Sequence, residues 1–146
     1  MSDASLFARL ELLDQYVRDL CEAQPHNFAA YESDKMLRRY TERMLHMAID
    51  ACIQIGIDLL TQEGLRSPEN YHDVFIVLGE HNILPRETVD CMTALVEFRN
   101  LLVYEHSTVD DMMVYGFAKK RLGDFGDFAS AVREHTNRRA VDSVRS

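Results

Sequence analysis

Arg39-Tyr40-Thr41-Glu42-Arg43-Met44-Leu45-His46-Met47-Ala48-Ile49-Asp50-Ala51-Cys52-Ile53-Gln54-Ile55-Gly56 decides the fold. Apolar residues recur here three and four apart, the period of a helix with one buried face. Extended outward, the stripe reads Leu37, Tyr40, Met44, Ala48, Ala51, Ile55 and Leu59. This predicts one long helix from residue 27 or 33 to 61, with Ala48, Ala51 and Gly56 small enough to let a neighbour approach closely. Before it, Leu6, Leu10, Leu13, Val17 and Leu20 form another such stripe, with Asp3 or Ser5 as cap, ending at Gln24-Pro25. After the break at Gly64 and Pro68, a shorter helix is expected over 69–81, with Tyr71, Val74, Phe75 and Leu78 inward. A fourth is expected over 85–104, opened by Pro85 and carrying Val89, Met92, Leu95, Val96 and Leu102. A fifth is expected over 109–135, capped from Ser107-Thr108 or Asp110-Asp111 and kinked at Gly123 and Gly126. No run alternates with period two. The expected architecture is all-α: an up-and-down four-helix bundle with an additional short helix, formed by a domain over 1–135 with a disordered tail over 136–146.

The chain of 146 residues suffices for one core, and its six glycines and three prolines favour helix over loop. A net charge of −8 means that a nucleic-acid site must be a focused cleft or be completed by a partner. Cys21, Cys52 and Cys91 lack metal-ligand spacing and read as small buried residues of a reduced compartment. The opening Met1-Ser2-Asp3-Ala4-Ser5 lacks the basic start of a signal peptide, and no 18-residue stretch is uninterruptedly apolar. A cytoplasmic location away from membranes is expected.

The second informative stretch is Phe98-Arg99-Asn100-Leu101-Leu102-Val103-Tyr104-Glu105-His106. Seven residues are about two helical turns, so an unbroken helix would point Arg99 and His106 the same way. Arginine grips phosphate oxygens and histidine exchanges protons near neutrality, a pairing suited to phosphodiesters. The same spacing also fits an arginine in a buried ion pair and a histidine closing a helix. Arg38, Arg39 and Arg43 form a basic group with Lys35. Two readings stand for it: a solvated face paired with Glu32 and Glu42, or, through Arg39 and Arg43, part of an RNA-binding cleft with Arg99. Glycine-rich phosphate loops, CxxC, HExxH and GxSxG are absent from the sequence. His46 and Asp50, four apart, make a poor start to a metal site, and no metal or cofactor is expected.

The stretch 39–56 resembles the long second helix of HepT-like proteins. Ser67-Pro68-Glu69-Asn70-Tyr71-His72-Asp73-Val74-Phe75, followed by Leu78-Gly79-Glu80-His81-Asn82-Ile83-Leu84-Pro85, resembles the family's next segment. Phe98-Arg99-Asn100-Leu101-Leu102-Val103 is similar to its active-site segment, and the resemblance runs over about residues 5–130 in order. HepT proteins belong to the HEPN superfamily of all-α ribonucleases. The resemblance implies a homodimer whose active-site helices meet in a cleft. It also implies a toxin role, with a minimal nucleotidyltransferase (MNT) as antitoxin that transfers AMP to a tyrosine. The superfamily pattern places a polar residue after the arginine and a histidine four to six residues further on; Arg99, Asn100 and His106 fit it. HepT proteins usually read Arg-Asn-x-x-x-His-x-Tyr. Here Tyr104 stands where the histidine is expected and His106 where the tyrosine is expected.

These readings lead to an expected type II toxin acting as a metal-independent endoribonuclease. Arg99, Asn100 and His106 are its candidate catalytic residues, Tyr104 its candidate modification site, and Arg39 and Arg43 its candidate RNA contacts. The alternative is a non-catalytic HEPN dimer that binds a nucleotidyltransferase or a nucleotide.

Overall fold

The computed structural model describes residues 3–105, 107 and 109–145. Its helices are α1 (Asp3–Glu22), α2 (Phe28–Glu32), α3 (Lys35–Gln62), α4 (Tyr71–Glu80), α5 (Arg86–Tyr104), α6 (Asp111–Lys120) and α7 (Leu122–Arg145). The described residues form no strand. The four long helices close a ring of contacts, α1 on α3, α3 on α5, α5 on α7 and α7 on α1, as a four-helix bundle does. Among the described residues three short helices decorate it, where the sequence predicts one.

Local chemistry sets the boundaries. Asn27, Asp34, Asn70 and Asp110 each accept a backbone N–H three residues on and so cap α2, α3, α4 and α6. Each such cap contributes about 1 kcal/mol. Gly64 at φ 67° closes α3, with Leu65 N–H donating to the Leu60 carbonyl at 2.9 Å. Asn82 at φ 58° does the same after α4. Arg66 then ties the α3–α4 connection down. Its Nη1 donates to Asp73 Oδ2 at 2.7 Å and its Nη2 to Glu80 Oε1 at 2.8 Å. These bonds fix α4, which carries Tyr71 toward the site described below.

The core of α3 is wider than its predicted stripe and rotated by about one position. Thr41, Leu45, Ile49 and Ile53 are buried beside Met44, Ala48, Ile55 and Leu59. Tyr40 and Tyr71, expected inward, are each 42% exposed, because a tyrosine can rest its ring on a rim and keep its hydroxyl wet. A stretch of α3 is long and apolar enough to cross a membrane, but 56% of it is buried among the other helices, as suits the centre of a bundle. Of the cysteines only Cys52 is buried; Cys21 is exposed and Cys91 partly so. Position 21 lies about 100° around α1 from Leu20, off the core face.

The helix predicted over 109–135 is two helices. The chain leaves the α-conformation at Arg121, whose Nε reaches Asp124 Oδ2 at 2.6 Å across the break. Gly123 and Gly126, expected to kink it, lie within α7. The break lets Phe117 of α6 stack on Phe98 of α5, with centroids 4.0 Å apart, while Phe128 of α7 meets Phe75 edge-on at 5.7 Å. α7 also stays helical beyond Thr136, where the sequence suggests a tail. Thr136 is buried, and Arg139 pairs with Glu63 at 2.6 Å and with Asp3.

α3 packs tightly on α4 at Gly56. A Cβ there would lie 2.5 Å from Val74 Cγ1. Gly56→Ala therefore forces buried side chains apart and is expected to cost about 1–3 kcal/mol despite alanine's better helix propensity, read as a lower denaturant midpoint.

Candidate functional site

Arg99 lies near the end of α5, with its side chain only 11% exposed. Its Nε donates to Asp50 Oδ1 of α3 at 2.8 Å. The other carboxylate oxygen of Asp50 faces His46 Nε2 at 2.9 Å. One carboxylate therefore joins an arginine from α5 to a histidine one turn earlier on α3. Asn100 accepts from Arg99 Nη1 at 3.4 Å, a weak bond. The guanidinium carbon stands 5.1 Å from the Tyr71 ring centre and 5.9 Å from that of Tyr104. Burial opposes the charge on Arg99, but hydrogen bonds to Asp50 and Tyr104 outweigh it and hold the guanidinium firmly protonated.

This arrangement leaves the cation usable. Asp50 engages Nε, and its carboxylate is 44% exposed. Among the described residues the terminal nitrogens meet a long contact with Asn100 and the Tyr104 phenol, for which a phosphate can compete. Tyr104 is 73% exposed beside Tyr71, offering two aromatic faces at the guanidinium. Exposed rings beside a cation suit unpaired bases attached to a phosphate.

The structure brings Arg99, Asn100 and Tyr104 together; His106 lies outside the described residues. α5 ends at Tyr104, and Glu105 at φ −131° and ψ 47° leaves the helix. The unbroken-helix geometry expected between Arg99 and His106 therefore does not hold. Arg43 and Asp50 line one groove with Arg9, Tyr16, Met47 and Gln54. Arg43 has no ion pair among the described residues, whereas Arg39 pairs with Glu42 at 3.3 Å and lies outside that groove. Arg38 donates to the backbone carbonyl of Glu32, not to its carboxylate, and pairs with Asp111 of α6 at 3.6 Å. Among the described residues no cluster of three or more His, Cys, Asp or Glu could hold a metal.

Sequence reasoning missed Asp50, His46 and Tyr71 as site residues. The i, i+4 spacing of His46 and Asp50 was visible, but only the fold shows that Arg99 completes the group.

The fold and site define an all-α bundle that presents an Arg-Asn pair near the end of a long helix. The chain matches the family described as "Ribonuclease HepT-like" over residues 13–132 and belongs to it. The tRNA nuclease HepT of Aphanizomenon flos-aquae is 30% identical over 109 residues, 73% of each protein. The mRNA nuclease HepT of Shewanella oneidensis is 25% identical over 89 residues, 61% of this chain and 67% of that one. The fold is that of the tri-AMPylated Shewanella oneidensis HEPN toxin solved in complex with MNT antitoxin. The TM-score is 0.83 at 19% identity, over 92% of this chain and 99% of that one.

Proposed function

We propose that this chain is the toxin of a HepT–MNT pair, a cytoplasmic, metal-independent endoribonuclease that works as a homodimer. The observation that carries this reading is the guanidinium of Arg99, anchored on Asp50 through Nε alone and flanked by the exposed rings of Tyr71 and Tyr104. Arg99 stabilises the extra negative charge that gathers on phosphorus-bound oxygens as the ribose 2′-oxygen attacks. Asn100 helps to orient the phosphate, and His106 transfers a proton to or from the reacting oxygens. The bond from phosphorus to the 5′-oxygen breaks, leaving a 2′,3′-cyclic phosphate and a 5′-hydroxyl. A dimer would bring two such cations into one cleft and concentrate positive charge within an acidic protein. Arg43, on a groove that reaches Asp50, supports RNA binding better than Arg39 does.

An MNT antitoxin is the partner this reading requires, with AMP transfer to Tyr104 as the means of control. The exposed phenol beside Arg99 supports that choice: AMP attached there would cover the guanidinium and place a phosphate on it. A second reading, a non-catalytic dimer that binds a nucleotidyltransferase or a nucleotide, is favoured by one observation. Tyr104 stands at the family's histidine position, and a phenol is a poor proton carrier near pH 7.

Induction in a bacterial host tests the proposal. Wild-type protein is expected to arrest growth and degrade RNA, and His106→Ala to do neither. Normal growth with intact RNA in both strains would favour the binding reading.

A further inference from the structure

We propose that His46, together with Asp50, is part of the catalytic apparatus: His46 is the base that removes the 2′-OH proton. The inference rests on the ribonuclease reading above and adds to it a residue from a different helix. Three observations carry it. His46 Nε2 lies 2.9 Å from one oxygen of Asp50, while the other oxygen holds Arg99 at 2.8 Å. The phosphate-binding group and an imidazole are thus fixed on a single carboxylate. Second, the His46 side chain is 25% exposed and Asp50 is 44% exposed, so the pair is open to a ligand. Third, Tyr104, the last residue of α5, stands two residues before the end of the Arg99 motif, where the resemblance places a histidine. Within α5 no histidine accompanies Arg99, whereas α3 brings an imidazole to the carboxylate that holds it.

A carboxylate facing one ring nitrogen fixes the orientation and tautomer of an imidazole and stabilises the imidazolium that forms. With Nε2 turned to Asp50, Nδ1 is left as the nitrogen that can accept a proton. On α3, Glu42 and Arg43 stand one turn before His46 and Asp50 one turn after. From α5, Arg99 meets the same carboxylate, and Tyr104 of α5 and Tyr71 of α4 pack on Arg99.

The step balances as follows. The 2′-oxygen gives its proton to His46 and forms a bond to phosphorus. The phosphorus–O5′ bond breaks, and O5′ takes a proton from the acid, the role left to His106. The imidazolium of His46 returns its proton to solvent, and no metal or redox partner is needed. Arg99 stays on Asp50 throughout, so protonating His46 adds a second positive charge to the carboxylate as the phosphate gains negative charge.

The test compares purified wild type, His46→Gln, Asp50→Asn and Arg99→Ala on total tRNA from pH 5 to 9, with thermal melting as the check on folding. His46→Gln is expected to lower kcat at least 100-fold with KM within about threefold. It is also expected to abolish the acidic limb of the kcat profile, which a merely structural histidine would not do. Asp50→Asn keeps the shape of the carboxylate and is expected to slow cleavage while leaving that limb present. Cleavage that disappears in Arg99→Ala but persists in His46→Gln with an unchanged pH profile overturns the His46 assignment alone. A wild type that cuts nothing, with nothing cut by any variant, overturns the ribonuclease reading and this assignment with it.

Discussion

Arg99→Ala is expected to reduce RNA cleavage by about 100- to 1,000-fold, the usual effect of removing one preorganised group that stabilises transition-state charge. The protein should remain folded. The lost partner, Asp50, is 44% exposed, so water can solvate its freed carboxylate. A melting temperature within a few degrees of wild type, measured alongside initial rates on RNA, separates the chemical effect from unfolding. Arg99→Lys gives a sharper comparison. Lysine restores the charge but cannot engage Asp50 and a phosphate together through a planar fork, so it should recover only part of the rate. Equal rates in wild type and Arg99→Ala would remove the arginine from the mechanism.

Phe98→Ala should do the reverse, with a large loss of stability and no direct loss of chemistry. Phe98 is 2% exposed and stacks on Phe117, with ring planes 9° apart. Removing it opens a cavity between α5 and α6, at a cost of about 3–5 kcal/mol. For a chain of this size that lowers the melting temperature on the order of 10 °C. The stack joins the two helices that flank 105–110, the segment carrying His106, so the variant should also loosen that end of the site. Thermal unfolding checks the first effect. Rates measured well below the melting temperature check whether any activity loss exceeds the unfolded fraction.

Much of this fold could be read from helical periodicity. Leu6, Leu10, Leu13 and Leu20 of α1 and Ala48 and Gly56 of α3 are buried as their spacing predicts, with Ala51 partly so, because a stripe of apolar side chains has one low-energy place to go. What periodicity could not supply was the orientation of rim residues. Tyr40 and Tyr71 scored as apolar yet stand at the surface, since an amphipathic ring satisfies either environment. The break at Arg121 was hidden for a different reason. Arginine is a good helix former, and the tertiary stack of Phe98 on Phe117, with the bond from Arg121 to Asp124, outweighs that local preference.

The site was legible in one of its two halves. Arg99, Asn100 and Tyr104 are neighbours in sequence, and their meeting follows from one helix. Asp50 and His46 are some fifty residues away, and a sequence pattern that pairs residues by short spacing cannot assign them to Arg99. Read alone, they are an ordinary i, i+4 pair on a helix. The contact of α3 with α5 turns that pair into the support of the arginine.

The most direct test of the central claim is incubation of the purified protein with RNA in excess EDTA, followed by identification of the product ends. The account predicts cleavage that survives chelation, leaves 2′,3′-cyclic phosphate and 5′-hydroxyl ends, and is lost in Arg99→Ala. Intact RNA, or cleavage that stops when metal is removed, would contradict it.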